Sequence, residues 1–308
     1  MNTNFMQKSL HYFDSYGSRC EADLYLPDGV SKPPVVVLAQ GYAALRGFGT
    51  QGIIKALVEA GIAVFAFDYR GFGGSESMHN EERQLVDPQK QIEDYHAAMR
   101  YVSALKDVDG QRIGIWGSSF SGGHVISVAG SDWSRSFPLR AVVAQIPHCD
   151  SRSAYKHVGL KKSLGGAGNI LKGAVLASVG INHTVAVIAK PDDTHFAVLQ
   201  HPQWYEGYMR MVDPAATWQN AIPSKSLLKC ASYNPIDVAR NITAPVLIVY
   251  GSKDQGIPVD DVQRTSNFIK DVEMYCFDGD HFDVYDGGVH QASAVAKEVE
   301  FFRAKLST

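Results

Sequence analysis

The chain has 308 residues, 45% of them hydrophobic, and a net charge of -3 with acids and bases spread along its length. That is enough apolar material to bury a sizeable core without covalent staples, and it leaves neither a basic stripe for a phosphate backbone nor a polybasic patch for a membrane surface. Nucleic acid and membrane are therefore excluded as expected partners, and composition leaves the oligomeric state open.

The amino-terminal MNTNFMQKSL lacks the apolar core of a signal peptide, and no run approaches the ~20 apolar residues that span a bilayer, so the expectation is a soluble, cytoplasmic protein. Cys20, Cys149, Cys230 and Cys276 show no C-x-x-C spacing and read as free thiols rather than zinc ligands or a redox pair.

In chain order, the first thirty residues read as two strands, about Ser9 to Asp14 and Cys20 to Leu26, joined by a turn at Tyr16-Gly17-Ser18. Short apolar runs rich in β-branched residues follow at Val35 to Leu38, Ile62 to Phe67, Ile113 to Trp116, Ala141 to Ile146 and Val246 to Tyr250. Such continuous runs suit strands buried on both faces of a parallel sheet. Between and after them, Ile92, Tyr95, Met99 and Val102, and later Val295, Val299, Phe302 and Leu306, repeat at helical spacing with one apolar face. The alternation implies an α/β fold with a mainly parallel central sheet and helices on both faces.

One interval breaks this rhythm. Between Pro147 and Ala244 lie about ninety-five residues, far more than an ordinary connection. They contain a glycine-rich stretch (Gly165, Gly166, Gly168), an apolar segment from Ile170 to Ile188, and several aromatics, and they read as a mostly helical cap inserted into the main domain. The expected division is a core formed by residues 1–147 and 234–308, with an inserted cap at 148–233.

Chemistry concentrates where strands end. The run Arg112 to Trp116 leads into Gly117-Ser118-Ser119-Phe120-Ser121-Gly122-Gly123 and then a helical pattern. A serine between small residues at such a turn can be held in a strained, outward pose at a helix amino terminus that favours developing negative charge. Taken alone, the stretch has a second reading as a glycine- and serine-rich turn without chemistry. Two later segments argue otherwise: Asp254 follows the strand at Val246 to Tyr250, and His281 follows the run Val272 to Phe277, so a carboxylate and an imidazole fall at the same edge.

Together these segments resemble the α/β-hydrolase superfamily, whose nucleophile, acid and histidine occur in that chain order. The turn around Ser119 is similar to that of prolyl oligopeptidases, Xaa-Pro dipeptidyl peptidases and cocaine-esterase-like enzymes, with Ser121 in place of the last glycine of the commoner G-x-S-x-G form. The resemblance implies Ser119 as nucleophile, His281 as base and Asp254 as its orienting acid, with the backbone N–H groups of Phe120 and Tyr42 forming an oxyanion hole. Gln40 stands where the family often has histidine. Asp150, Asp260 and Asp261 are alternative acids, and His124, His148 and His290 alternative histidines.

The stretch Asp68 to Ser75 resembles the family's D-x-R-G-x-G-x-S segment and reads as a structural loop near the pocket mouth. His148, Trp204, Tyr205, Tyr208 and Trp218 are the candidate substrate-binding residues, for a small apolar or aromatic acyl substrate. The implied enzyme is a carboxylesterase, thioesterase or acyltransferase needing no metal or organic cofactor. A small-peptide peptidase, a carbon–carbon bond hydrolase and a non-catalytic ligand-binding homologue remain as alternatives, whereas a serine at this position sets aside the aspartate-dependent dehalogenases and epoxide hydrolases.

Overall fold

A computed structural model describes residues 6–157, 160–179 and 181–307, with the side chains of 155–163 left undescribed. The chain opens with an antiparallel hairpin of β1 (Met6–Ser15) and β2 (Ser18–Pro27). Its two-residue loop holds Tyr16 and Gly17 at positive φ, the conformation whose twist matches that of the flanking strands.

Then come β3 (Val35–Ala39), α1 (Gln51–Glu59), β4 (Ala63–Phe67), α2 (Pro88–Ser103), β5 (Ile113–Ser118), α3 (Phe120–Ala129) and β6 (Leu139–Gln145). After an insert, β10 (Val246–Gly251), α8 (Val259–Ser266), β11 (Val272–Phe277) and α9 (Gln291–Leu306) complete the core. Eight strands form one sheet in the order β1-β2-β4-β3-β5-β6-β10-β11, parallel from β4 onward and antiparallel at β1 and β2.

The central strands are as apolar as parallel packing demands. Every residue of β3 and β4 is buried, because α1 packs with α9 and α2 with α3 in layers flanking the sheet. Burying each Val, Leu, Ile or Phe side chain there contributes roughly 1.5–3 kcal/mol. No disulfide joins the four cysteines.

The insert between β6 and β10 contains helices, as its composition implies: α4 (Ser151–His157), α5 (Leu160–Ala177), α6 (Trp204–Met211) and α7 (Lys225–Ala231). It also contains a small sheet that the sequence reading did not foresee, ordered β8-β7-β9, with β7 at Thr184–Ile188, β8 at Ala197–Leu199 and β9 at Ile222–Pro223. The apolar segment from Ile170 to Ile188 therefore divides into the end of α5 and all of β7. Its β-branched Thr184, Val185, Val187 and Ile188 fit a pleated surface better than a helix.

Candidate active site

Four parallel strands aim their carboxyl ends at one edge of the sheet, where ligands of open α/β sheets bind. β5 delivers Ser119, β10 delivers Asp254, β11 delivers His281, and β3 delivers the loop Gln40-Gly41-Tyr42. The His281 imidazole Nε2 lies 3.0 Å from Ser119 Oγ, and its Nδ1 lies 2.7 Å from Asp254 Oδ2. The imidazole and the carboxylate are each 3% exposed, so water competes little for the bond between them.

Ser119 has φ 57° and ψ -119°, a conformation that costs a non-glycine residue of order 1–3 kcal/mol. The surroundings hold it there. Its N–H donates to the Gln145 carbonyl at 2.8 Å, and its carbonyl accepts the His148 N–H at 2.9 Å. Beneath the turn, the Ser121 hydroxyl lies 2.7 Å from Tyr69 Oη and 2.9 Å from Tyr95 Oη. The departure from glycine at this position thus adds a buried hydrogen-bonded anchor. On its other side, Ser118 Oγ meets Tyr285 Oη at 2.7 Å and accepts from Gln145 Nε2 at 2.9 Å.

The acid is fixed by its own loop: Asp254 Oδ1 accepts the N–H groups of Gly256 and Ile257 at 3.0 and 2.9 Å, leaving Oδ2 for His281. The other acids are engaged elsewhere. Asp150 accepts from Arg152 Nε at 3.1 Å; burial works against its charge, yet the Arg152 guanidinium and nearby backbone N–H groups hold its carboxyl below the usual range. Asp261 pairs with Arg264 at 2.5 Å, and Asp260 is exposed on α8.

Among the histidines, His124 lies between Tyr233 Oη at 2.7 Å and Gln91 Oε1 at 2.9 Å, and burial lowers its pKa to about 3. His290 is half-buried and contacts the Asp278 carbonyl at 3.1 Å.

Gly41 approaches the nucleophile turn closely. A Cβ there would stand 2.8 Å from the Ser118 carbonyl oxygen and 2.9 Å from Ser119 Cβ, so only glycine lets the β3 loop lie this close to the Ser118–Phe120 turn. Gln40 keeps its side chain within the loop, accepting the Gly41 N–H at 2.8 Å and donating to the Phe48 carbonyl.

A cavity of about 460 Å³ opens from Ser119. Tyr42 and Phe120 line it from the core side, and His148, Phe196, Val198, Leu199, Trp204 and Leu227 from the insert. No Asp, Glu, Lys or Arg is among the described residues of its wall. His148 contacts Ser151 Oγ at 2.8 Å, and burial pushes its pKa down to about 4, so at neutral pH it presents an uncharged ring.

Of the expected substrate-binding residues, His148 and Trp204 do line this cavity, whereas Tyr205, Tyr208 and Trp218 do not. Tyr208 Oη donates to the Tyr42 carbonyl at 3.1 Å and Trp218 Nε1 to the Ala43 carbonyl at 2.7 Å, which fastens the insert to the β3 loop. Tyr205 lies under the Lys190 ammonium, 5.5 Å from ring centre to nitrogen. The wall residues Ile170, Phe196, Val198 and Leu199 escaped the sequence reading because nothing local separates a wall residue from an ordinary packed one.

The Asp68–Ser75 loop is also absent from this wall. Asp68 accepts the Arg46 N–H at 2.7 Å and the Ser75 hydroxyl donates to the Asp68 carbonyl at 2.8 Å, while Arg70 Nε donates to Asp94 at 2.6 Å. Asp68 and Gly73 border a separate polar cleft with Glu21 and Arg46.

Residues 16–273 match the model of the X-Pro dipeptidyl-peptidase family, S15. The chain belongs to that family. It is 30% identical to the quorum-quenching protein AidA of Acinetobacter baumannii (strain MDR-ZJ06) over 94% of this chain and 93% of that one. A shorter match, 37% identical over 37% of this chain and 34% of the relative, is to the thiohydrolase aneE of Aspergillus aculeatus. Among solved structures, DcsB in complex with its substrate analogue superposes with a TM-score of 0.84 at 20% identity, over 98% of this chain and 100% of that one. Fold and family agree: the protein is an α/β hydrolase, an enzyme of the kind that acts on ester-type bonds.

Proposed function

We propose that the protein cleaves or transfers an acyl group from an ester or thioester through an acyl-enzyme on Ser119. The observation that carries this reading is the hydrogen-bonded chain Ser119–His281–Asp254 opening into a cavity whose described wall is mostly apolar and holds no Asp, Glu, Lys or Arg. His281 Nε2 takes the proton as Ser119 Oγ attacks the carbonyl carbon, and Asp254 stabilises the imidazolium. The backbone N–H groups of Phe120 and Tyr42 receive the oxyanion. The tetrahedral intermediate collapses as His281 returns the proton to the leaving alcohol or thiol, and water or a second alcohol then releases the acyl group by the same steps in reverse.

The cavity wall favours ester over dipeptide substrates. A peptide read from its free amino terminus brings an ammonium that needs a partner when desolvated, and the described wall residues include no carboxylate. The thiohydrolase name borne by one relative supports including thioesters. The residues between β6 and β10 act in this reading as a cap that selects the acyl group.

A fluorophosphonate probe tests the nucleophile, and a panel of nitrophenyl esters, acyl thioesters and X-Pro amides tests the substrate class. Covalent labelling at Ser119 and faster turnover of apolar esters or thioesters than of X-Pro amides are expected. Absence of labelling, or X-Pro amides as the best substrates, overturns the proposal.

A further inference from the structure

The imidazole of His281 is held from more sides than the acid and the nucleophile account for. Trp204, the first residue of α6 in the insert, lays its indole over the imidazole with ring centres 4.5 Å apart and planes 32° from parallel. Trp204 is 4% exposed, and it meets Phe282, the next residue after the histidine, edge-on at 5.6 Å. Further along α6, Arg210 Nη2 donates to the Phe282 carbonyl at 2.9 Å, so the helix is fastened to the turn that carries the base.

Gly256, two residues after Asp254, leaves room for the indole. A Cβ there would fall 1.9 Å from the Trp204 ring. The acid's loop, the base and the insert's tryptophan therefore pack as one unit.

Asp280 joins the same unit. Its Oδ1 accepts the backbone N–H of His281 at 2.7 Å and of Gln255 at 3.2 Å, and faces Trp204 Nε1 at 3.5 Å. One carboxylate oxygen thus gathers the residue after the acid, the histidine itself and the indole from the insert.

Resting on the serine-hydrolase reading above, we infer that Trp204 is a positioning residue for His281 as well as part of the cavity wall. Its π face fixes the ring plane between Asp254 and Ser119 and attracts the positive charge that the imidazole gains when it takes the serine proton. Small displacements of a reacting group are costly in rate. Because the tryptophan belongs to the insert, the segment that walls the acyl cavity also sets the geometry of the base.

A wall residue and a positioning residue differ on a substrate too short to use the wall. Trp204→Leu and Trp204→Phe are compared with wild type on nitrophenyl acetate and on a long-chain nitrophenyl ester, with the rate of fluorophosphonate labelling as a second readout. For acetate, Trp204→Leu lowers kcat by ~10-fold or more with KM within ~2-fold of wild type, labelling slows in proportion, and Trp204→Phe recovers most of both.

Unchanged kcat on acetate in Trp204→Leu, with only the long ester affected, overturns the inference. So do equal losses in the Leu and Phe variants, since the aromatic face then contributes nothing. If Trp204→Leu fails to fold by circular dichroism, Trp204→Met takes its place under the same criteria: unchanged kcat on acetate overturns the inference, and a tenfold loss that Trp204→Phe does not share upholds it. A wild-type protein that neither labels nor turns over acetate sinks the serine-hydrolase reading and this inference together, whereas wild-type labelling matched by Trp204→Leu sinks the inference alone.

Discussion

The sheet core and the insert solve different problems with the same composition. In the core, β3, β4 and β5 are buried along their whole lengths, and their ends hold Ser119 and Gly41 through backbone hydrogen bonds and close contacts. In the insert, α5 leaves Leu164, Leu171 and Val175 more than half exposed, and carries Gly165, Gly166 and Gly168 within a helix. Each such glycine costs a helix roughly 0.5–1 kcal/mol relative to alanine. Precision is built into the core, and the wall of the cavity is built on a loosely packed layer above it. Trp204 and the bonds from Tyr208 and Trp218 are among the places where the two meet.

The comparison breaks most visibly at the nucleophile. Ser119→Ala is expected to reduce turnover by ~10⁴-fold or more, with far-UV circular dichroism and melting temperature little changed, because the hydroxyl contributes little to packing and alanine carries the same backbone strain. Residual activity above a few percent means that another group attacks the acyl carbon. Next comes the acid: Asp254→Asn is expected to cost ~10⁴-fold in kcat, whereas Asp150→Asn, whose carboxylate is bound to Arg152, leaves turnover within a few-fold. A reversal of the two would move the acid to the end of β6.

A test confined to the core uses pH. Glu298 on α9 is fully buried, and burial pushes its pKa from 4.5 up to about 8. The folded state therefore holds this proton where the unfolded state has released it. Stability from this group is complete below pH 4.5 and declines as pH rises through about 8. Glu298→Gln should flatten the loss of melting temperature over that interval and leave Ser119 labelling unchanged. An equally steep decline in the variant would assign the pH dependence to other groups, of which Asp94, raised to about 6 by burial, is the first to examine.

What the sequence made legible follows from how local each signal is. Ser119, Asp254 and His281 each follow a parallel strand within a few residues, and strands that share an edge bring such residues together whatever the rest of the chain does. The hairpin at Tyr16-Gly17 was equally local. The insert was not. Its β7 continues the apolar run of α5, and the four β-branched residues within Thr184–Ile188 are the local mark of a strand. Aromatic content points to Tyr205, Tyr208 and Trp218 as wall residues, but side-chain direction is set by tertiary contacts, with the β3 loop for Tyr208 and Trp218 and with Lys190 for Tyr205, which no spacing encodes.

The smallest expected effect sharpens the division within the insert itself. Phe196 lines the cavity beside Gly166 of α5, whereas Tyr205 sits one residue beyond Trp204 and outside the wall. Phe196→Ala opens room at the wall, and a single methylene in an apolar pocket is already worth roughly 10–200-fold in selectivity. The ranking of nitrophenyl esters should therefore shift toward bulkier acyl groups in Phe196→Ala, at unchanged rates of Ser119 labelling by a small fluorophosphonate. Tyr205→Leu should keep the wild-type ranking, since the ring lies outside the cavity wall, against Lys190 and the neighbouring apolar core. If Tyr205→Leu reorders the substrates and Phe196→Ala does not, the acyl group lies along a different face of α6, and the cavity opening from Ser119 is not the one that selects it.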